Sequence, residues 1–338
     1  MFTEKLRKIT RQEDLDAAET AQMIDEIFSG SLTDAQIGAF MAALATKGET
    51  YEELAGAATA MRRKALRIET PASTIVDTCG TGGDGAKTFN ISTTTAFVVA
   101  GAGVTVAKHG NRSISSQCGS ADLLEALGMN LDLDPELVEE AVTDIGIGFL
   151  FAPKYHGAMR YAATARKEVA IRSIFNMLGP LTNPAAANCQ ILGVYAPELT
   201  EMFARALQKL GSRRVFVVHG HDGLDEISVC APTRISELND GRIQTYDISP
   251  EQFFGEPADP EALTGGDPEK NADVTLKILD GEKGPRRDVV LINSAAALVA
   301  AGKAEKLADG ISVAAYAIDS GAARDKLAAL IAFTRENA

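Results

Sequence analysis

The sequence predicts an α/β protein: a mostly parallel central sheet flanked by helices, with a smaller all-helical domain. Three observations point there. Residues 1–70 carry only helical patterning. From residue 73 short apolar runs alternate with amphipathic segments. Glycine-bearing loops follow two of those runs. The chain has 338 residues, enough for one large or two medium domains. Apolar residues make up 46% but aromatics only 6%, and Trp is absent, which favours close helix–sheet packing over an aromatic-lined sandwich.

Taken in order, Thr33-Asp-Ala-Gln36 and Thr50-Tyr-Glu-Glu53 are capping boxes, each followed by a stripe at helical spacing. Ile37, Phe40, Met41 and Leu44 form one stripe; Leu54, Ala57, Ala58 and Met61 form the other. Thr74–Asp77, Val104–Ala107, Ile191–Tyr195 and Val215–Val218 have the form of buried parallel strands. Between the last two, Glu198–Leu210 is an amphipathic helix with Leu199, Met202, Phe203, Ala206, Leu207 and Leu210 inward. Glu226–Cys230 and Arg242–Asp247 are strand-like and suggest an antiparallel extension. Residues 249–272 are rich in Pro and Gly and are expected to be an irregular surface segment. The last fifty residues return to alanine-rich helix. The expected domains are 1–72, helical, joined by helices from about 160–190, and 73–338, α/β.

Charge and cysteine usage exclude several classes. Lys plus Arg is 33 against 46 for Asp plus Glu, a net charge of −13. Such a surface repels nucleic acid and anionic membrane, so an anionic ligand needs a local cationic site. The charged start MFTEKLRKITRQEDLD has no apolar core of a signal peptide, and no apolar run is long enough to span a bilayer. Cys79, Cys118, Cys189 and Cys230 lie far apart, neither a zinc cage nor a disulfide framework, which suits a reducing cytoplasm.

Gly80-Thr-Gly82-Gly-Asp-Gly85 lies between a strand and a helix and matches G-x-G-x-x-G. A dinucleotide site also needs an acidic residue about 20 positions on. Here the next strand ends instead in Lys108-His-Gly-Asn-Arg112. An ATP loop would put lysine directly after Gly85, where Ala86 intervenes before Lys87-Thr88. What survives is a loop whose amides meet phosphate oxygens, followed by the helix opening Asn90-Ile-Ser-Thr. The hydroxyls of Ser92 and Thr93 are at hand for phosphate or a metal. The alternative is a plain tight turn with Asn90 as a helix cap. The second loop, Lys108 to Ser120, adds three potential cations and four serines. Two loops of this kind at neighbouring strand ends suggest a ligand with two separate phosphates.

DTCGTGGDG, FNIST, KHGNRSISSQCGSADLLEALG, IRSIFNMLGPLTNP and DGLDEIS occur in that order. Together they resemble the anthranilate phosphoribosyltransferase family over essentially the whole chain. Related pyrimidine nucleoside phosphorylases share the architecture but lack KHGNR followed by GSAD. The resemblance implies transfer of the phosphoribosyl group of phosphoribosyl pyrophosphate (PRPP) to the amine of anthranilate, in tryptophan biosynthesis. It also implies Mg²⁺ and a homodimer built through the helical domain; association with an anthranilate synthase component and work alone are both left open by the sequence.

By resemblance, Gly80, Gly83, Asp84, Thr88, Asn90, Ile91, Ser92 and Thr93 line the PRPP site, and Lys108, His109, Gly110, Asn111, Arg112, Ser113, Ile114, Ser115, Ser116 and Ser120 wrap its phosphates. Lys108, His109 and Arg112 are the expected catalytic groups. Ser92, Asp225 and Glu226 match the magnesium positions; without the family, Asp225-Glu226 would be a solvated acidic turn at a strand start. Gly80, Asn111 and Arg166 match the anthranilate positions, with Arg166 on the carboxylate, and His109 and His156 flank the amine site. Gly157 stands where the family carries proline. His219-Gly-His221-Asp222 lacks the ligands of a metallohydrolase and is given no role. Gly179–Pro184 either shapes the pocket between domains or simply ends a helix.

Overall fold

Four helices open the chain: α1 (Phe2–Thr10), α2 (Ala17–Phe28), α3 (Asp34–Lys47) and α4 (Tyr51–Lys64). Both expected capping boxes form, and a third joins Asp16 to Glu19. Glu53 does more than cap. Fully buried, it also accepts from the Leu15 amide at 3.0 Å and pairs with Lys47 at 3.1 Å, tying the α1–α2 connection to α4. Every residue of both predicted stripes is buried. The structure, a computed structural model, describes residues 2–113 and 117–337.

A seven-stranded sheet follows, made of β1 (Ile75–Asp77), β2 (Thr105–Gly110), β3 (Ile147–Phe151), β4 (Cys189–Gly193), β5 (Arg214–Gly220), β6 (Thr233–Asn239) and β7 (Arg242–Ile248). The spatial order is β3-β2-β1-β4-β5-β6-β7. The first five strands run parallel; β6 and β7 are antiparallel. The remaining helices are α5 (Ile91–Gly101), α6 (Ser120–Ala126), α7 (Pro135–Glu140), α8 (Ala152–Tyr155), α9 (Arg160–Val169), α10 (Ile174–Met177), α11 (Leu199–Lys209), α12 (Pro268–Leu279), α13 (Pro285–Ala300), α14 (Leu307–Asp319) and α15 (Ala322–Glu336).

Side chains of β4 and β5 alternate between two cores, as the pleat requires. Ile191, Phe216 and Val218 pack with α5, α13, α14 and α15. Leu192, Val194, Val215 and Val217 pack with α11 and, through it, with α1–α4, α9 and α10. The chain winds from β1 to β2 and β3 on one side and returns to β4 on the other. The strand order therefore reverses at β1, and in open α/β sheets the crevice at such a point, beyond the strands' carboxyl ends, takes the ligand. Among the described residues, no helix is long and apolar enough to cross a membrane.

Three expectations need correction. The four expected parallel strands are present, but the sheet also contains β3, which is not among them. Glu226–Cys230 is not a strand. Its polar groups are met by side chains instead of a ladder: Asn293 Oδ1 accepts from the Ile227 amide at 2.9 Å, Asn293 Nδ2 donates to the Ile227 carbonyl at 2.9 Å, and Thr233 Oγ1 accepts from the Ser228 amide. Nor is all of 249–272 surface. Leu263 and Asn271 are buried, and the segment backs the glycine loop through a Thr88–Thr264 bridge, Gly265 N–H donating to Lys87 at 3.0 Å and Phe89 N–H donating to Leu263 at 3.2 Å.

Candidate active site

The glycine loop leaves the end of β1 at the reversal point. Gly82, Gly83 and Gly85 all have positive φ (66°, 79° and 75°), where a side chain would be strained. Thr81 N–H donates to the Gly193 carbonyl at the end of β4, at 2.9 Å. Gly193 is not among the residues the sequence marks out, yet it is indispensable: a Cβ there would lie 1.4 Å from the Asp225 carbonyl oxygen. Its bareness lets the 222–226 turn cross β4 and bring Asp225 to the glycine loop.

Asp225 Oδ2 accepts from the Gly82 amide at 2.9 Å, and the Asp225 amide donates to Asp84 Oδ2 at 3.4 Å. Glu226 accepts from the Ser92 amide, the second residue of α5. Burial, and then repulsion from Asp84, push the Asp225 carboxyl up to about 7. Burial and repulsion from Asp225 raise Glu226 well above the usual carboxylate range. None of the three has an ion-pair partner among the described residues. The two adjacent acids sit on a turn, not at a strand start, and the alternative of a solvated surface turn does not describe them: both are only partly exposed. Thr93 Oγ1 is buried without a hydrogen-bond partner, and Ser92 is partly buried with its carbonyl accepting from Thr78 Oγ1 at 2.8 Å. Ile91 is core.

Asn90 begins α5, but its side chain does not cap the helix. Its Nδ2 donates to the Cys118 carbonyl at 3.0 Å, and its Oδ1 accepts from Asn271 Nδ2 at 3.0 Å. Asn271 Oδ1 in turn accepts from the Gly266 amide at 2.8 Å. Asn90 thus joins the second loop to the 264–271 segment.

The second loop follows β2. Lys108 is buried, with Nζ 3.4 Å from the Thr78 carbonyl. Arg112 is exposed but held by Asp122 at 3.0 Å and Glu125 at 2.8 Å, so in this conformation its charge is already offset. Asn111 is exposed; its amide donates to Ser120 Oγ at 3.2 Å, and Ser120 Oγ donates back to its carbonyl at 3.1 Å. Gly110 leaves room for that hydroxyl, since a Cβ would sit 2.2 Å from it. Asp122 Oδ2 accepts from the amides of Ser113 and Gly119. Ile114, Ser115 and Ser116 lie outside the described residues.

His109 and His156 meet edge to face, with Nε2 atoms 3.2 Å apart. His109 Nδ1 lies 3.0 Å from the Gly179 carbonyl and must donate to it. With His109 neutral, His156 Nε2–H donates to His109 Nε2. This leaves His156 Nδ1 as a buried acceptor with no partner among the described residues. Burial depresses both rings, to about 3 for His109 and about 4 for His156, so both are neutral at pH 7. Gly157 opens a 3₁₀ turn, Gly157–Met159, that leads into α9. On α9, Arg166 is partly buried, 5.9 Å from the Phe175 ring, with its guanidinium pKa lowered by burial and no ion pair among the described residues. A desolvated cation without a partner is suited to a carboxylate ligand, which its planar fork grips with two hydrogen bonds.

The only described group that brings three His, Cys, Asp or Glu ligand atoms within 4.8 Å is Asp77, Cys79 and His109. Asp77 is already satisfied, by the His109 amide at 3.1 Å and Asn183 Nδ2 at 2.7 Å. The Asn183 contact gives the 179–184 segment its role of fixing the end of β1. His219 is buried and donates from Nδ1 to the Val194 carbonyl at 2.8 Å, a structural contact.

Comparison with known proteins fits both parts of the chain. Residues 72–324 match the glycosyl transferase family α/β domain, and residues 3–65 match that family's helical bundle domain. The class is thus a glycosyl transferase made of a helical bundle and an α/β domain. The anthranilate phosphoribosyltransferases of Desulfosudis oleivorans and Syntrophobacter fumaroxidans are 69% and 67% identical, over 100% of both chains in each case. The structure of anthranilate phosphoribosyltransferase from Thermus thermophilus superposes with a TM-score of 0.92 at 42% identity, covering 98% of this chain and 99% of that one. The enzyme from Saccharomyces cerevisiae in complex with PRPP and Mg gives 0.88 at 29% identity, covering 98% of each. This chain belongs to the anthranilate phosphoribosyltransferase family.

Proposed function

We propose that this protein transfers the phosphoribosyl group of PRPP to the amine of anthranilate, giving N-(5-phosphoribosyl)anthranilate and pyrophosphate, in tryptophan biosynthesis. One observation carries the reading from geometry. A glycine loop and three carboxylates that form no ion pair among the described residues share the crevice where the strand order reverses, an arrangement that suits a diphosphate bound together with a divalent cation.

The chemistry of these donors fits Mg²⁺, a hard ion that takes one or two carboxylates and completes its shell with water and substrate oxygens. Asp225, Glu226 and Ser92 would hold it. When bound, it supplies neutralisation of the charge that develops on the leaving diphosphate. Gly80, Gly83, Asp84, Thr88, Asn90 and Thr93 line the donor site in this reading, and Lys108, His109, Arg112 and the rest of the second loop surround the phosphates. Arg112 reaches them by leaving Asp122 and Glu125. Arg166 orients anthranilate through its carboxylate, with Gly80 and Asn111 beside the ring.

Anthranilate's amine is an aniline, neutral at pH 7, so the reaction demands no strong base. As the nitrogen bonds to C1 of the ribose, the C1–diphosphate bond breaks, its electron pair leaves with the diphosphate, and the proton the nitrogen then sheds passes to the released diphosphate or to water. The His156 Nδ1 acceptor takes a hydrogen bond from the amine and orients its lone pair. Orientation of two bound substrates and stabilisation of the leaving group supply most of the rate. A homodimer built through residues 1–72, association with an anthranilate synthase component, and a cytoplasmic setting in which cysteine thiols stay reduced complete the proposal.

The test is direct. Purified protein mixed with PRPP, Mg²⁺ and anthranilate should quench anthranilate fluorescence. No loss, together with phosphate-dependent consumption of a pyrimidine nucleoside, would establish a phosphorylase instead.

A further inference from the structure

Arg172 has no part in the site described above, yet it touches it. It lies two residues beyond Ala170, whose left-handed conformation (φ 51°) ends α9 as its amide donates to the Arg166 carbonyl at 3.1 Å. Its Nη2 donates to the Gly83 carbonyl at 2.9 Å. Its guanidinium lies 3.8 Å from the centre of the Tyr195 ring. Tyr195 lies two residues beyond Gly193, whose carbonyl holds the Thr81 amide. Arg172 is therefore seated between the glycine loop and the strand end that anchors it. Its other neighbour, Ser173, begins α10, whose Ile174 and Phe175 are locked in the helical core. Among the described residues no carboxylate pairs with Arg172. Gly83 is shaped to receive it: a Cβ there would sit 2.9 Å from Arg172 Nη2.

We infer that Arg172 is a positioning residue that couples α9 to the glycine loop, so that each substrate strengthens binding of the other. This rests on the assignment of Arg166 to the acceptor and of the loop to the donor. A loop closed on diphosphate fixes the Gly83 carbonyl. That carbonyl fixes Arg172, and Arg172 fixes the end of the helix bearing Arg166. Ordering of the segment then occurs once for two ligands, and the coupling is reciprocal.

Initial rates over a grid of PRPP and anthranilate concentrations measure the coupling. In the parent, saturating PRPP should lower the apparent KM for anthranilate by about fivefold or more, and in Arg172→Ala and Arg172→Lys by less than about twofold. Lysine keeps the charge but not the stacked fork, so full coupling in Arg172→Lys would overturn the geometric basis. A parent without coupling, or an Arg172→Ala variant that retains it, would overturn the proposal. Hydrogen exchange gives a second readout that needs no turnover. The amides of residues 82–85 should exchange faster in Arg172→Ala at unchanged Tm, and unchanged exchange there would also overturn it. A parent that exchanges as expected but turns over no anthranilate would contradict the functional reading and leave the contact standing.

Discussion

Asp77, at the end of β1, and Asp225, on the turn after β5, are both acids beside the candidate site, and burial raises both. Their second neighbours differ in sign. Asp77 is held near 6, with attraction from Lys108 and hydrogen bonds from Asn183 and the His109 amide opposing burial. Asp225 is pushed to about 7 by burial and by Asp84 beside it, opposed by the amides of Gly82 and of Asp225 itself. Buried polar groups that are fully paired hold a fold together; buried like charges left unpaired favour a cation or protons. The first acid serves the scaffold, and the second has the surroundings that the proposed cation site needs.

Substitution should separate the two. Asp77→Ala removes the acceptor of the buried His109 amide, one of the two acceptors of Asn183 Nδ2 and the negative charge facing buried Lys108, and should destabilise by about 3 kcal/mol in urea unfolding. A loss below about 1 kcal/mol would remove Asp77 from the scaffold. Asp225→Asn combined with Glu226→Gln should act in the opposite sense, raising Tm at pH 8 without metal while lowering kcat/KM at limiting Mg²⁺ by about 100-fold. A lower metal-free Tm would make the two acids alike. Asn271→Ala frees Asn90 from its anchor and should raise the KM for PRPP about tenfold, at a cost near 1.4 kcal/mol, with less effect on anthranilate. Equal effects on both substrates would deny that Asn90 serves the donor loop.

The smallest effect is on pH dependence. A carboxyl raised in the native state binds more protons there than in the unfolded chain. Stability therefore falls as pH rises from the unfolded value, about 4, to the folded one. For Asp77 the decline ends near 6; for Asp225 it continues to near 7. Asp225→Asn should shrink the part between pH 6 and 7 in thermal melts without metal, Asp225→Asn with Glu226→Gln should abolish it, and saturating Mg²⁺ should do the same in the parent.

Contiguous features are legible in the sequence. The glycine loop, KHGNR and the capping boxes each carry their chemistry within a few residues, and the apolar runs at 74–77, 104–107, 191–195 and 215–218 correspond to β1, β2, β4 and β5. What is not legible depends on contacts across the chain. Glu226–Cys230 has strand-like residues, but Asn293 takes its backbone groups. Arg112 has the look of a free phosphate ligand until Asp122 and Glu125 fold beside it. The need for glycine at 193 exists only because Asp225 crosses β4 there. Asn271 lies in a segment whose composition gives no sign of a role, and Arg172 stands at the start of the block IRSIFNMLGPLTNP without any local feature that assigns it one; their partners are 181 and 89 residues away. The run Ile147–Phe151 does carry a strand signal, alternate apolar residues next to glycine, but it is short and sits between helical segments.

Calorimetric titration of PRPP, with and without Mg²⁺, into the parent and the Asp225→Asn variant tests the central claim most directly. The account predicts that Mg²⁺ tightens PRPP binding strongly in the parent and little in the variant. Equal tightening in both, or none in the parent, would contradict it.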